Sequence, residues 1–392
     1  MTRCCYQFRP VGQGCFFTGI YTKKAKQVFN FVYDCGTNSS GSYLDDAIKQ
    51  FKSDITSAGN KPIIDLLMIS HFDDDHVIGV LELLKDVKCR YLVMPFLSVY
   101  ERLAVFSKGG PKAEWHKSFL RNPQNFINTN DFDVDNIIFI DGNNQYTEET
   151  PRTVFPINRD SFSPKSNTTP STIYGEDDEM KFENKFHYFK MPFELEAQDI
   201  GFQFKFYVKP YPEDLISKFH DEIKVKFLGR IISDLFNDYD RLQLKGLYKK
   251  IFKDRNKSGL CVAVVKKTSA CVHYHDKPNL FFPYLKRQTA LMLTGDTSLK
   301  TKKNIGVFLE YYKEEMDNVL MFQIPHHGSK YDSRLDIGSG LWNFPMFVIN
   351  HGSKRTSHPH PDVRSFVITN KKNVWFNTEV SEVKIVYYLY QC

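Results

Sequence analysis

The six residues His71-Phe72-Asp73-Asp74-Asp75-His76 constrain this chain more than any other stretch. They follow the apolar run Pro62 to Ser70 and precede Val77-Ile78-Gly79-Val80-Leu81. Two imidazoles and three carboxylates therefore converge on one turn at the end of a buried strand. Charge at that density in a buried turn is costly unless a cation neutralises it. Neutral imidazole and carboxylate oxygen are the donors that hold divalent zinc, manganese or iron. The competing reading is an acidic surface loop that happens to carry histidines, and it weakens as related motifs accumulate along the chain.

Short apolar runs bounded by turn residues predict further strands at Val28 to Tyr33, Ile64 to Ser70, Arg90 to Pro95 and Ile137 to Ile140. The second half repeats the pattern at Leu260 to Lys267, Ala290 to Thr294, Val319 to Ile324, Met346 to Ile349 and Ile385 to Leu389. Val77 to Asp86 reads as a helix whose start puts Asp75 and His76 at the positive end of its dipole. His71, Asp296 and His326 each follow a strand directly. Strand-end loops meeting along one edge are where a two-sheet α/β sandwich would build its site.

Between the halves, Asp141 to Met180 is rich in Asn, Thr, Pro and Ser, including Asn143-Asn144 and the run Ser166 to Ser171, and reads as a flexible lid or linker. Lys181 to Arg255 is aromatic and mixed in charge, with Phe182, Phe186, Tyr188, Phe189, Phe193, Phe202, Phe204, Phe206 and Tyr207. It offers a strand at Gln203 to Val208 and helices within Asp214 to Tyr239. These aromatics could stack bases, but the core of an inserted subdomain is the simpler expectation. The chain divides accordingly into a first half at 1–140, a loop plus inserted subdomain at 141–255, and a second half at 256–392.

With 42% hydrophobic and 25% charged residues, 392 residues can bury one large core or two moderate ones. No window offers the ~18 consecutive apolar residues of a membrane span. The start, Met1-Thr2-Arg3-Cys4-Cys5-Tyr6, lacks the apolar stretch of a secretory signal. The expectation is a cytoplasmic protein with no membrane partner. The eight cysteines form no C-x-x-C pair and read as reduced core thiols. A net charge of +6 tolerates a polyanionic partner without demanding one. Lys245, Lys249, Lys250, Lys253, Arg255 and Lys257 crowd one segment, which a solvated helix face would also explain. Lys330, Arg334, Lys354 and Arg355 lie close in sequence to the histidine motifs, and Lys330, Lys354 and Arg355 are the candidates to hold a substrate phosphate.

The hexad resembles the first metal motif of the metallo-β-lactamase superfamily, whose commonest form is His-x-His-x-Asp-His. Asp73 in the middle position matches the His-x-Asp-x-Asp-His variant of the soluble nuclease-like domain of the ComEC DNA-uptake family. Four further segments resemble that family in order. They are Val11-Gly12-Gln13-Gly14 with Tyr33-Asp34-Cys35-Gly36, then Asn256-Lys257-Ser258 before Leu260-Cys261-Val262, then Leu293-Thr294-Gly295-Asp296, and finally Pro325-His326-His327-Gly328-Ser329. The resemblance covers roughly residues 1–140 and 256–390 and leaves the middle unmatched. It implies an α/β fold, the αββα four-layer sandwich of the superfamily, with a long inserted segment. It also implies a hydrolytic head without the membrane channel through which that family moves DNA. His351 stands where the family usually has an aliphatic residue, Lys354 where it has asparagine, and Thr356-Ser357 where it has tyrosine-glycine. A separate histidine of the superfamily, between the hexad and the bridging aspartate, is not evident.

By this resemblance His71 and Asp73 hold one metal, Asp75 and His76 the second, and Asp296 bridges them. One of His326 and His327 completes the shell. His327 is favoured, and its neighbour then faces substrate or makes a supporting hydrogen bond. Two divalent ions, zinc or manganese, about 3.5–4 Å apart would activate a bridging water for in-line attack on a phosphodiester. Asp75 thus counts as catalytic as well as a ligand. His358 and His360, between the prolines of Ser357-His358-Pro359-His360-Pro361, are candidates to protonate the leaving oxygen or bind the phosphate. Solvated histidines on a rigid turn are the alternative. His116, His187, His220, His273 and His275 lack ligand-like context and read as structural or surface residues.

Three functions follow. The first is a metal-dependent phosphodiester hydrolase acting as a nuclease on DNA or RNA. The second is a small-molecule phosphodiesterase, for a cyclic nucleotide or a choline phosphate ester, in a pocket capped by residues 141–255. The third is a regulatory or binding module with a structural metal core. An open basic groove would favour the first, a lidded cavity the second and an obstructed metal edge the third. A β-lactam or thioester hydrolase fits less well, because Asp73 replaces the histidine usual there. A nuclease with no sequence-reading module needs restraint or targeting, so a regulatory protein partner, such as a neighbour in a defence or stress system, is also expected.

Overall fold

The computed structural model describes residues 1–56, 61–110, 112–142, 150–157, 180–253, 258–267, 271–274, 288–336, 340 and 343–390. Asn143-Asn144, the run from Ser166 to Ser171, Arg255, Asn256, Lys257, His275 and Cys392 lie outside these residues.

The first half runs β1 (Thr2–Phe8), β2 (Phe17–Lys23), β3 (Lys26–Tyr33), α1 (Gly41–Ile55), β4 (Ile63–Met68), α2 (Asp74–Val77), α3 (Val80–Leu84), β5 (Lys88–Pro95), α4 (Val99–Ser107), α5 (Glu114–Arg121), α6 (Pro123–Thr129) and β6 (Val134–Asp141). The middle adds β7 (Thr153–Ile157), β8 (Phe186–Lys190), β9 (Phe193–Ala197), β10 (Phe202–Lys209), α7 (Glu213–Lys226) and α8 (Asp238–Phe252). The rest is β11 (Gly259–Lys266), β12 (Cys271–Tyr274), β13 (Ala290–Leu293), α9 (Lys302–Tyr311), β14 (Val319–Gln323), β15 (Met346–Asn350), α10 (Pro361–Thr369), β16 (Val374–Asn377) and β17 (Val383–Tyr390).

Among the described residues the strands form two mixed sheets. One has nine strands in the order β12-β17-β1-β2-β3-β4-β5-β6-β8, the other eight in the order β16-β15-β14-β13-β11-β10-β9-β7. In the first, pairing changes from antiparallel to parallel at β3, whose far neighbour β4 carries the hexad at its end. Period-two alternation sorts the side chains. Phe29, Phe31 and Tyr33 of β3, Tyr91 and Val93 of β5, and Ile138 and Ile140 of β6 enter one core cluster, shared with β10, β11, β13, β14 and β15. Val32, Leu92, Ile137 and Phe139 point the other way, into a second cluster built with α1 and α4 to α8. The first cluster also takes in Ile305 and Phe308 of α9 and Val363 and Val367 of α10. The result is helices, sheet, sheet, helices: a two-sheet α/β sandwich.

The aromatic middle segment belongs to this shared core. Phe202 lies 4.9 Å from Tyr21 between ring centroids, and Phe204 lies 5.2 Å from Phe31, so β10 is stapled across the sandwich to β2 and β3. Each such fully buried ring contributes about 2 kcal/mol. Residues 141–255 thus supply β8 to the nine-stranded sheet, β7, β9 and β10 to the eight-stranded one, and α7 and α8 to the helical layer. Their rings serve this packing, which separates them from any base-stacking role. Cys4, Cys5, Cys15, Cys35, Cys89 and Cys261 are buried free thiols. Among the described residues no helix is long and apolar enough to cross a membrane.

Candidate metal centre

The hexad begins three residues past the end of β4, where β3 and β4 run parallel and both strand ends open on the same edge. The stretch read as one helix from Val77 is two short pieces, Asp74–Val77 and Val80–Leu84. The break sits at Gly79, whose amide donates to the Cys35 carbonyl (2.9 Å) and where a Cβ would lie 2.8 Å from the Cys35 Sγ. A single turn has little macrodipole, so the dipole expected at Asp75 and His76 is not what favours charge there. Orientation comes from β-strand ends instead. The Cys15 amide donates to the Asp75 carbonyl (3.1 Å), and the Cys35 amide to that of His76 (2.8 Å). Gly36 lies flat against this backbone: a Cβ on it would stand 2.5 Å from the carbonyl carbon of Asp75 and from the amide nitrogen of His76.

Asp296 follows β13, and His326 and His327 follow β14, so the other sheet contributes from the facing edge. Both histidines adopt left-handed conformations, with φ of 48° and 54°. Two successive non-glycine residues in that region are strained, and the strain aims both rings at one place. Adjacent residues were expected to diverge, yet His326 Nε2 lies 3.4 Å from Asp296 Oδ2 and His327 Nε2 lies 3.8 Å from Asp296 Oδ1. From the hexad, His71 Nε2 meets Oδ2 at 3.6 Å and His76 Nε2 meets Oδ1 at 3.3 Å. Each oxygen of Asp296 therefore faces its own pair of histidines. Asp73 Oδ2 lies 3.6 Å from His71 Nε2, and Asp75 Oδ2 accepts at 3.1 Å from His327.

Each ring is fixed from behind through Nδ1. His76 Nδ1 donates to Asp34 Oδ2 (2.7 Å), His326 Nδ1 to Asp332 Oδ2 (2.5 Å) and His327 Nδ1 to the Asn350 carbonyl (3.0 Å). The Ser70 hydroxyl donates to Asp34 (2.7 Å), so its oxygen accepts from His71 Nδ1 (2.9 Å). With Nδ1 engaged in this way, the Nε2 atoms of all four rings face the cluster, the arrangement seen behind metal-binding histidines. The Nε2 atoms of His71 and His76 are buried without a hydrogen-bond partner among the described residues. Such atoms need an explanation, and a cation held between them would supply it.

Charge tells the same story. Burial alone would lower the pKa of His71 and His76, but Asp296, and for His76 first of all Asp34, more than reverse this and raise both. Asp296 is held well below the carboxylate range by the surrounding histidines despite its burial. Asp75 sits at about 2, because the His327 hydrogen bond and the charge of His76 outweigh burial. His326 rises to about 9 against the effect of burial, through Asp296 and Asp332. Protons on the imidazoles balance the carboxylates here, a task that a divalent cation at the Nε2 atoms would take over. Asp75, His76, Asp296 and His327 form one buried group able to hold a metal ion, and His71, Asp73 and Asp75 form another.

Asp74 turns away from the cluster. It accepts from Lys112 Nζ (2.6 Å) and His116 Nδ1 (2.7 Å), while His116 Nε2 donates to the Phe72 carbonyl (2.8 Å). The fully buried His116 thus clamps the hexad. Lys108, at the end of α4, pairs with Asp73 Oδ2. His358 is half-buried at the rim, stacked on the His326 ring at 5.5 Å. Burial, with His326 and His327 nearby, lowers its pKa to about 4. His360 instead caps α10: its Nδ1 accepts from the Asp362 amide (3.1 Å). Of the three candidate phosphate cations, Lys330 pairs with Asp362 (3.3 Å), Arg355 donates to the Asn38 carbonyl (3.1 Å), and Lys354 is exposed.

Sequence reasoning missed Asp332, Lys108, Lys112 and the clamp by His116, and it quoted Asp34 without giving it a task. Asp34 carried a signal, since it ends a buried strand as the hexad does. The others are brought in by loops and helices with no motif of their own. No protein-family model matches the chain, and no curated protein matches it either.

Proposed function

We propose that the chain is a metal-dependent phosphodiester hydrolase, foremost a nuclease on DNA or RNA. The observation that carries this reading is the division of four histidines around Asp296, two to each oxygen. A carboxylate shared in that way suits two divalent cations side by side. His71, Asp73 and His326 would hold one, and Asp75, His76 and His327 the other. Histidine nitrogen and carboxylate oxygen fit zinc and manganese alike. A bound pair supplies Lewis acidity and a nucleophilic water near neutral pH, which is the chemistry of in-line displacement at phosphorus.

The chain's own residues do the rest. Asp34 and Asp332 keep His76 and His326 in the tautomer that points Nε2 inward. His358, neutral near pH 7, can accept a proton or a hydrogen bond at the rim, beside His326. His360, engaged as a helix cap, orients the following helix instead. The order of layers, and the meeting of the hexad, the Asp296 loop and the double histidine at one edge, support the metallo-β-lactamase resemblance.

Exposed cations on α8 and in the loop before His358 support an extended polyanion as substrate. Lys245 of α8 donates to the Gly109 carbonyl (2.7 Å), next to Lys108, and Lys249 and Lys253 are exposed at the end of the same helix, where Lys250 pairs with Glu222 (2.7 Å). Lys354 and Arg355 are exposed near His358 in the chain. The deciding experiment is hydrolysis of linear and circular DNA, RNA and bis(p-nitrophenyl) phosphate with added manganese or zinc. Asp75→Ala and Asp296→Ala proteins are the controls. Nucleic-acid cleavage lost in both is the expected result. Cleavage of the small ester alone would replace the nuclease by a small-molecule phosphodiesterase, and a metal-loaded chain inert on every substrate would end the hydrolase reading.

A further inference from the structure

The cleft beside the metal centre contains two donors that the reading above leaves without a task. His71, Asp73, Lys108, Tyr211 and Ser258 are among the residues that line it. Ser258 is 9% exposed, and its hydroxyl has no hydrogen-bond partner among the described residues. A buried hydroxyl in that state is disfavoured. It stands on the cleft wall, where an acceptor on a bound molecule would satisfy it. Lys108 reaches the same cleft from the other side. Its side chain is 24% exposed, and its ammonium lies against Asp73 Oδ2. An ammonium carries three N–H donors and no acceptor. Tyr211 and the apolar Pro95, Leu97 and Val105 form the remaining wall, which strengthens any charge interaction made there.

We propose that Lys108 and Ser258 form a phosphate-oxygen subsite on the His71–Asp73 side of the centre. The ammonium and the hydroxyl both donate to a non-bridging oxygen of the substrate's phosphoryl group. The proposal rests on the phosphodiesterase reading of that centre and sharpens it. The subsite selects an anionic phosphoryl group over a neutral ester, because the ammonium is held more strongly by a charged oxygen than by a neutral carbonyl. Lys108 also bridges two parts of the molecule. It sits one residue before Gly109, whose carbonyl takes Lys245 and Arg241 of α8, so a strand bound along that helix would pass the subsite.

A lysine that only balances the charge of Asp73 would act on metal binding and not on phosphate. The test therefore measures both on the full chain. Calorimetry reads inorganic phosphate binding to the manganese-loaded protein, and atomic absorption reads manganese content, for Lys108→Met, Lys108→Arg and Ser258→Ala. Lys108→Met is expected to weaken phosphate binding about tenfold or more and Ser258→Ala about threefold. Lys108→Arg should retain most of the affinity, and manganese content should stay level in all three. Wild-type phosphate affinity in both Lys108→Met and Ser258→Ala overturns the proposal. So does loss of manganese from Lys108→Met with normal phosphate binding in Ser258→Ala.

A second readout is the ratio of kcat/KM for bis(p-nitrophenyl) phosphate to that for neutral p-nitrophenyl acetate. It is expected to fall about tenfold in Lys108→Met, whereas damage to the metal centre would lower both rates together. The two readings fail separately. A chain that binds phosphate through these residues yet cleaves no phosphodiester keeps the subsite and loses the hydrolase. A hydrolase indifferent to both substitutions does the reverse.

Discussion

Asp34 accepts three hydrogen bonds, from the Ser70 amide (2.6 Å), the Ser70 hydroxyl (2.7 Å) and His76 Nδ1 (2.7 Å), and is wholly buried. The first two fix the start of the hexad loop, and the third sets which nitrogen of His76 carries the proton. Asn at this position keeps the shape but loses the charge, and one amide oxygen cannot hold the ring as firmly. We expect Asp34→Asn to weaken manganese or zinc binding about ten- to a hundredfold. Chelator competition measures this, and affinity within twofold of wild type in a folded variant would refute the role. At this scale the sequence was informative only where a strand end announced a residue. Asp296 and the double histidine carried that mark. Lys108 and Asp73 are 35 residues apart and meet because α4 folds back over the hexad, so no local pattern could pair them.

Strands were the most legible elements, because their apolar runs are short and bounded by turn residues. The alternation that sends Phe31 into one core and Val32 into the other is written directly in the residue order. The helix at the hexad was harder to read. Leu81, Leu83 and Leu84 promise a continuous helix, but Gly79 is bonded to Cys35, a contact the sequence does not display. The same backbone-on-backbone packing gives the element-scale prediction. Gly36→Ala would drive a Cβ to 2.5 Å from the Asp75 and His76 main chain, and main chain cannot rotate aside. The expected cost is about 3 kcal/mol in urea unfolding, together with weaker metal binding. Gly246→Ala, in the interior of α8 with open space around it, should instead gain up to about 1 kcal/mol and leave the metal untouched. Equal effects of the two substitutions would show that the contact at Gly36 does not shape the centre.

The two sheets meet at the centre and are stitched together around it. The Leu260 amide donates to the Ser70 carbonyl (2.7 Å), and the Tyr33 hydroxyl donates to the Leu260 carbonyl (2.7 Å), so β11 of one sheet is tied to β3 and the hexad of the other. That architecture was legible in outline, as strand-end loops converging on one edge. The place of residues 141–255 was not, because strand pairing across a long segment is decided by partners far away in the chain. Their strands extend both sheets, and the candidate metal centre lies at the edge where the two sheets meet. A cation held by His71, Asp73, Asp75 and His76 from one sheet and by Asp296, His326 and His327 from the other would therefore cross-link the sandwich. Binding only to the folded state stabilises it by about 4 kcal/mol when the metal is a thousandfold above its Kd. We expect a Tm several degrees higher with manganese or zinc than after chelation, and no such difference in Asp296→Asn. The metal-free Asp296→Asn protein should be less stable than metal-free wild type at neutral pH, since it removes the carboxylate that the surrounding histidines hold in its charged form and leaves their charge uncompensated. A wild-type Tm indifferent to chelation and to added metal would mean that the two sheets are held without a cation, and the centre would lose its claim to one.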